Sequence, residues 1–268
     1  MSIAEKLTTI AENVLKVYEA GQEVGKNDFV NQNSNGGTDF SYMFYEKKYL
    51  KELPELDTSK CTDFKYMFFN CKELTAIPEL DTSKGTDFSF MFSGCSKVTV
   101  LPDIDARNAS SIKNLFQNCS SVTQFPIVET LNPVDMSYLY YNCKLVTAGT
   151  VDASKGTNFS NLLSYCSKLE TLYIIFPTTA ANITSSSPYG NIFQYADNLK
   201  NLTIEGGIFK SGLNVKNNTK LTHDSLMSII NALATTTTAY TVTFGSTNLA
   251  KLTDEEKAIA TAKGWTLT

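Results

Sequence analysis

A phrase of 24 residues recurs along this chain, and it limits the fold more than any other feature. GTDFSYMFYEKKYLKELPELDTSK at 37–60, CTDFKYMFFNCKELTAIPELDTSK at 61–84 and GTDFSFMFSGCSKVTVLPDIDARN at 85–108 align without a gap. ASSIKNLFQNCSSVTQFPIVETLN follows at 109–132, and PVDMSYLYYNCKLVTAGTVDASK at 133–155 is one residue shorter. GTNFSNLLSYCSKLETLYI opens a sixth copy at 156. After an insertion near 173–190, rich in Thr, Ser and Pro, GNIFQYADNLKNLTI reads as a degenerate seventh. Apolar residues recur in fixed columns. One holds Phe40, Phe64, Phe88, Ile112, Met136 and Phe159; a second holds Met43, Met67, Met91, Leu115, Leu139 and Leu162. A third runs Phe44, Phe68, Phe92, Phe116, Tyr140 and Leu163. Leu50, Leu74, Val98, Val122 and Leu169 form a fourth, with Val146 expected in the short fifth copy. Leu53, Ile77, Leu101, Phe125 and Leu172 form a fifth column. A unit this small cannot bury its own apolar face, but its neighbours can, so the repeat predicts a solenoid of stacked units over 37–210.

Within a unit, Phe64, Met67, Phe68 and Cys71 have the spacing of a short helix or a 3₁₀-like turn with one buried face. The columns just before it are Asp39, Asp63, Asp87, Ser111, Asp135 and Asn158, and Thr38, Thr62, Thr86, Ser110 and Thr157. Either can cap exposed N–H groups. Short strands are expected at 74–78 and 98–102, ended by the prolines at 54, 78, 102 and 126, which have no N–H for a further rung.

The ends differ. Ile3, Leu7, Ile10, Val14 and Val17 give a heptad seam, predicting an N-terminal helix within 1–30 that shields the first unit or joins copies into a homo-oligomer. NQNSNGG at 31–37 reads as a hinge. A capping region is expected over 211–268: a helix starting at Thr222, then YTVTFG, a helix with Thr253 and Glu256 as a capping box, Gly264 as its C-terminal cap, and a returning strand at Trp265. Trp265 reads as core filler.

Composition excludes some functions. The net charge of −4 provides no general attraction to phosphate backbones, so no nucleic-acid partner is expected. No apolar run approaches about 18 residues, so no membrane span is expected. MSIAEKLTTIAENVLKVYEAG has no basic leader or continuous apolar run, and no signal peptide is visible.

Most of the chemistry-bearing residues fit packing roles. Cys71, Cys95, Cys119, Cys143 and Cys166 recur once per unit, with Ala196 in the equivalent place later. That exchange suits a small buried apolar residue; a column is a line, not the cage a metal needs. Cys61 stands outside the column and is expected to be a peripheral thiol. His223 beside Asp224 reads as the surface of a helix start. No cofactor, metal or catalytic set is expected. The candidate binding residues are instead an aromatic column, Tyr42, Tyr66, Phe90 and Tyr138, with Tyr45, Phe69 and Tyr141 alongside. Thr75, Glu79, Thr99 and Asp103 on the expected strand face complete the candidates, with Thr123 and Gln124 beside them.

The words DTSKCTDFKYMFFNCKEL and DTSKGTDFSFMFSGCSKV, with their DTS turn, MF pair and Cys, resemble the repeats of BspA-like bacterial surface proteins of the Mycoplasma-lipoprotein type. The likeness is good over 37–172 and weak to 204. It implies an α/β solenoid, a leucine-rich-repeat array of roughly 24-residue units flanked by the N-terminal helix and an α/β C-terminal cap, displayed at a bacterial cell surface or outside the cell. The opening IAEKLTTIAENVLKVYEAGQEVGKNDF resembles N-termini of Firmicutes phage or prophage proteins, which implies a virion setting. The expected function is non-catalytic recognition or adhesion, with a protein or glycan ligand. A structural or assembly protein of a virion or cell surface is the alternative, and an enzyme of unrecognised type the third choice.

Overall fold

The structure, a computed structural model, describes residues 37–53, 56–146, 149–183, 185–210 and 212–268. The N-terminal segment 1–30, with its heptad seam, and most of the expected hinge lie outside these residues.

Each repeat is built from consecutive turns, and the first copy shows how. Phe40, Tyr42, Phe44 and Glu46 donate their N–H groups to the next unit, to the carbonyls of Asp63, Lys65, Met67 and Phe69 at 2.9, 2.9, 2.8 and 2.7 Å. The residues between them fold back. Met43, Tyr45 and Lys47 donate to the carbonyls of Phe40, Tyr42 and Phe44 at 3.2, 3.0 and 3.1 Å. An α-helix would bond each N–H four residues back; here the bonds run three back or 23 forward. Two residues four apart are also left-handed, Tyr42 and Glu46 at φ 58° and 55°, Tyr66 and Asn70 at 56° and 58°. A left-handed residue cannot continue a right-handed helix. The turn alternative is therefore realised and the short helix is not.

The Asp and Thr columns divide the capping work. Asp63 and Asp87 accept from the N–H groups of Lys65 and Ser89 at 2.9 and 2.8 Å. Thr62 and Thr86 donate their hydroxyls to the carbonyls of Thr38 and Thr62, one unit back, at 3.0 and 2.9 Å. Parallel bridges join Asp39, Asp63, Asp87, Ser111 and Asp135 in succession.

The solenoid expected over 37–210 from the repeat, and the leucine-rich-repeat α/β array implied by the resemblance, are not the fold. Among the described residues the α-helices are three and short, all beyond the repeats: α1 (His223–Ala232), α2 (Ser246–Leu249) and α3 (Asp254–Ala262). The strands are β1 (Ile104–Asp105), β2 (Val128–Glu129), β3 (Val134–Asp135), β4 (Gly149–Asp152), β5 (Gly156–Asn158), β6 (Thr171–Ile175), β7 (Asn201–Glu205), β8 (Tyr240–Val242) and β9 (Trp265–Leu267). They form small, separate, parallel sheets, β1–β2, β3–β5, β4–β6–β7 and β8–β9, so no one curved sheet runs through the units.

Proline explains where strands fail. The strands expected at 74–78 and 98–102 are absent; β1 and β2 begin only after Pro102 and Pro126. Tyr173 replaces the proline in the sixth copy, and there β6 pairs with β7 along its whole length and with β4 over residues 172–175.

The core lies between the turn side and this strand side. Phe40, Phe64, Phe88, Ile112, Met136 and Phe159 are all buried. Phe44, Phe68, Phe92, Phe116 and Tyr140 stack ring on ring at 5.2, 5.5, 5.8 and 5.6 Å. In the short fifth copy Leu145 is buried and Val146 is 42% exposed, the reverse of the expected placement. Cys143 still follows Cys119 by 24 residues, so the missing residue falls between Cys143 and Leu145.

At the far end, α1 lies against β7. The Ser225 and Ser228 hydroxyls accept from the N–H groups of Leu202 and Ile204, both at 2.8 Å, and so cover an edge that would otherwise be open. Thr222 caps α1, and Thr253 and Glu256 cap α3 reciprocally. Gly264 is left-handed at φ 86° and turns the chain into β9, where Trp265 is buried with its indole N–H on the Ala234 carbonyl at 2.7 Å.

Candidate functional site: an aromatic ridge on the turn side

The first left-handed position of each unit is where the aromatic column sits. It is occupied by Tyr42, Tyr66, Phe90 and Tyr138 in four units and by Asn114, Asn161 and Asn191 in three, all at φ 56–60°. Asn tolerates this conformation; a bulky ring in it is an outlier. The aromatic members reach the surface, with Tyr42 51% exposed and Tyr66, Phe90 and Tyr138 half-buried, whereas Asn114 in the same column is buried.

Three of the predicted residues meet in one row. Tyr42 stacks on Tyr66 at 4.9 Å and 16°, and Tyr66 on Phe90 at 4.6 Å and 4°. Tyr45 and Phe69 stack beside them at 5.1 Å and 10°. Lys65 Nζ lies 5.8 Å from the Tyr66 ring centroid, a cation–π contact. Burial and the neighbouring Tyr42 push the Tyr66 hydroxyl above its usual titration range, so it remains a neutral donor.

The row then breaks. Ser93 of the third unit stands in the column of Tyr45 and Phe69, and the fourth unit presents Asn114 and Gln117, with Asn114 Nδ2 donating to Gln117 Oε1 at 2.8 Å. Beyond the break lies a second cluster, Tyr138, Tyr141, Tyr165 and Tyr195, with ring centroids 5.4, 5.1 and 4.5 Å apart. Tyr138 is thus separated from the other three predicted residues. Tyr165 and Tyr195 were missed because they occupy the second left-handed column, with Glu46, Asn70, Gly94, Asn118 and Asn142. That column of Asn and Gly was the available signal.

The strand-face candidates do not join the ridge. Thr75, Glu79, Thr99 and Asp103 are exposed, and none is hydrogen-bonded to a ridge residue. Asp103 Oδ1 accepts from Ile127 N–H at 2.8 Å, a structural contact between units.

The cysteine column is a packing device with an added bond. Cys71, Cys95, Cys119, Cys143 and Cys166 are buried and unpaired, and their thiols reach the carbonyls of Phe44, Phe68, Phe92, Phe116 and Tyr140 at 3.1–3.2 Å. Burial pushes the Cys71 and Cys166 thiols up to about 12. Cys61 is buried too, not peripheral, with its thiol on the Asp63 carbonyl at 3.2 Å and also pushed up to about 12 by burial. Among the described residues no cluster of His, Cys, Asp and Glu could hold a metal ion, and no helix is long and apolar enough to cross a membrane. His223 lies on the surface, its Nε2 2.8 Å from Glu256 Oε1.

Residues 38–148 match a family described as Mycoplasma protein of unknown function, DUF285. The match spans less than half of the chain, covering the first five repeats up to β4. No curated protein and no solved structure matches.

Proposed function

We propose that this chain is a non-catalytic recognition module whose aromatic ridge engages a protein partner. The observation that carries the reading is the choice of residue at the first left-handed position. Asn114, Asn161 and Asn191 make the same turn, so the backbone does not require Tyr or Phe there. A left-handed L-residue costs about 1–2 kcal/mol, and stacking returns about 0.5–1.5 kcal/mol per aromatic pair. The two nearly cancel in the Tyr42–Tyr66–Phe90 row. At Tyr138 the column neighbours are Asn114 and Asn161, so no ring stacks on it along the column, and it keeps a tilted contact with Tyr141 of its own unit at 5.4 Å. A strained ring kept where Asn makes the same turn motivates a functional reading.

Ring spacing favours protein over glycan. A sugar packed between two faces would need about 7–8 Å, twice a van der Waals separation. Rings 4.6 and 4.9 Å apart leave no such gap and present their edges. Edges and tyrosine hydroxyls suit the mixed apolar and polar character of protein interfaces.

The test is a displayed random-peptide selection on the intact protein alongside a glycan array, each repeated with Tyr66→Ser. Peptides that lose about 2 kcal/mol or more of affinity with this variant, as at an interface hot spot, support the reading. Glycan binding lost with the same substitution assigns the ridge to sugars. Peptides indifferent to Tyr66→Ser leave the rings as a cover between units, as in an assembly protein.

A further inference from the structure

The junction between the fourth and fifth units is closed on one side and open on the other. On the turn side the ladder is intact: Asn114, Phe116 and Asn118 donate to the carbonyls of Ser137, Leu139 and Tyr141 at 3.0, 3.0 and 2.8 Å. On the strand side a cleft of about 580 Å³ separates β2 from β4, within the usual range for a ligand site. Ile112, Met136, Leu139 and Tyr140 line it from the core side. The Phe125 ring stands edge-on to Tyr140 at 5.2 Å and 85°. It also fills the space beside Gly149, where a Cβ would fall 2.0 Å from the ring.

The backbone facing this cleft is an interrupted ladder. Ile104 and Ala106 donate to the carbonyls of Ile127 and Glu129, so Ile127 and Glu129 face the third unit and Val128, by strand alternation, faces the cleft. Ala153 donates to the Ile175 carbonyl, so Thr150 and Asp152 face the cleft from the other side. The two bonds that would close the junction, Val128 N–H to Thr150 C=O and Asp152 N–H to Val128 C=O, are not made. The flanking junctions β1–β2, β4–β6 and β6–β7 are all paired. Thr150 and Asp152 are exposed.

We infer that the cleft between β2 and β4 accepts an extended peptide segment of a partner protein, which pairs with the β4 edge and points an apolar side chain at Tyr140 and Met136. An unpaired edge above an apolar floor calls for a peptide backbone, since backbone bonds supply the affinity and a pocket beneath selects alternate side chains. Among the described residues Asp152 is the one charged side chain lining the cleft, which favours a segment without acidic residues. The site lies on the strand side and does not depend on the aromatic ridge.

The probe is a synthetic peptide with the sequence of β6, TLYII, flanked by lysines, because β6 already pairs with β4 along its other edge. Binding to the whole chain is followed by amide chemical shifts and hydrogen exchange. The expected result is slowed exchange and shifted amides at Val128, Thr150 and Asp152. Affinity should fall about tenfold or more when alternate peptide amides are N-methylated, as the loss of one or two hydrogen bonds requires. Thr150→Pro, which removes an N–H directed at the cleft and none directed at β6, should weaken binding similarly. The methylated peptide decides the matter should that variant fold poorly. Equal binding of both peptides, shifts confined to other residues, or no shift up to about 1 mM peptide would each overturn the inference.

Discussion

The repeats and the C-terminal region are built on opposite plans. In the repeats alternate N–H groups of the turn side bond residues about one unit away, as Phe40 joins Asp63 and Phe64 joins Asp87, with three-residue turns between them. In α1 and α3 the defining bonds are local, three or four residues apart, and each helix carries its own cap. A repeat therefore has little structure without its neighbour, whereas α3 is specified largely by Thr253 and the residues that follow. Damage to a repeat should spread, and damage to a cap should stay local.

Phe92→Ala is the largest expected effect. Phe92 is buried and stacked between Phe68 and Phe116, so its loss affects two junctions together. Removing a buried phenylalanine costs about 3–5 kcal/mol. Urea unfolding followed by fluorescence and far-ultraviolet dichroism measures it. The contrast between the regions breaks if the α1 and α3 helices are lost at the same denaturant concentration as the repeats while total stability is unchanged.

Tyr173→Pro comes next, because it restores the proline column of the earlier copies in the middle of the three-stranded sheet. Proline in a paired strand interior removes a rung and leaves its acceptor unpaired, which should cost about 1–3 kcal/mol. Pro78→Ala, the reverse exchange where no strand is formed, should shift stability by less than about 1 kcal/mol. Comparable losses in the two variants would mean that proline does not decide where β4, β6 and β7 can pair. In the C-terminal region, Thr253→Ala removes the α3 capping box, whose bonds are 3.2 and 2.8 Å long. About 1 kcal/mol is expected, with hydrogen exchange faster in α3 and unchanged in the repeats.

The same difference governs how much could be read from the sequence. The local signals were legible: Thr222, the Thr253–Glu256 pair, Gly264 and Trp265 stand where their residue types suggest. The core columns were legible because burial imposes them in every copy. Their geometry was not. A spacing of three, one and three fits a helix, yet it equally fits turns whose alternate N–H groups leave for the next unit. The recurring Asn at 70, 118 and 142 pointed to left-handed residues, but Tyr42, Tyr66 and Phe90 in a similar role obscured it. At the ridge, column membership found Tyr42, Tyr66 and Phe90, while Tyr165 and Tyr195 entered from another column. The open junction had only one trace, the missing residue between Cys143 and Leu145, which says that registry changes but not on which side a gap appears.

The smallest effect separates the regions by pH. The Glu256 and Asp224 carboxylates beside His223 hold its pKa above the ordinary 6.5. A raised folded value means that the contribution is complete below the unfolded pKa and disappears as pH rises through the folded one. Glu256 is lowered from 4.5, first by the Thr253 N–H and also by His223, so its contribution is complete above 4.5 and is lost toward acid. The pair therefore contributes most between the two ordinary values. In the repeats Asp57, Asp81 and Asp105 are lowered by Ser59, Ser83 and Arg107, so these carboxylates weaken the repeats only toward acid. Raising the pH from about 6 to about 8, the range in which histidine titrates, should loosen the contact between α1 and α3 and leave the repeats unchanged. The ring-proton titration of His223 gives its pKa directly. Hydrogen exchange across the same range, with His223→Ala as reference, locates the effect; a pKa at or below the ordinary value, or exchange accelerating equally in the repeats, would remove the distinction.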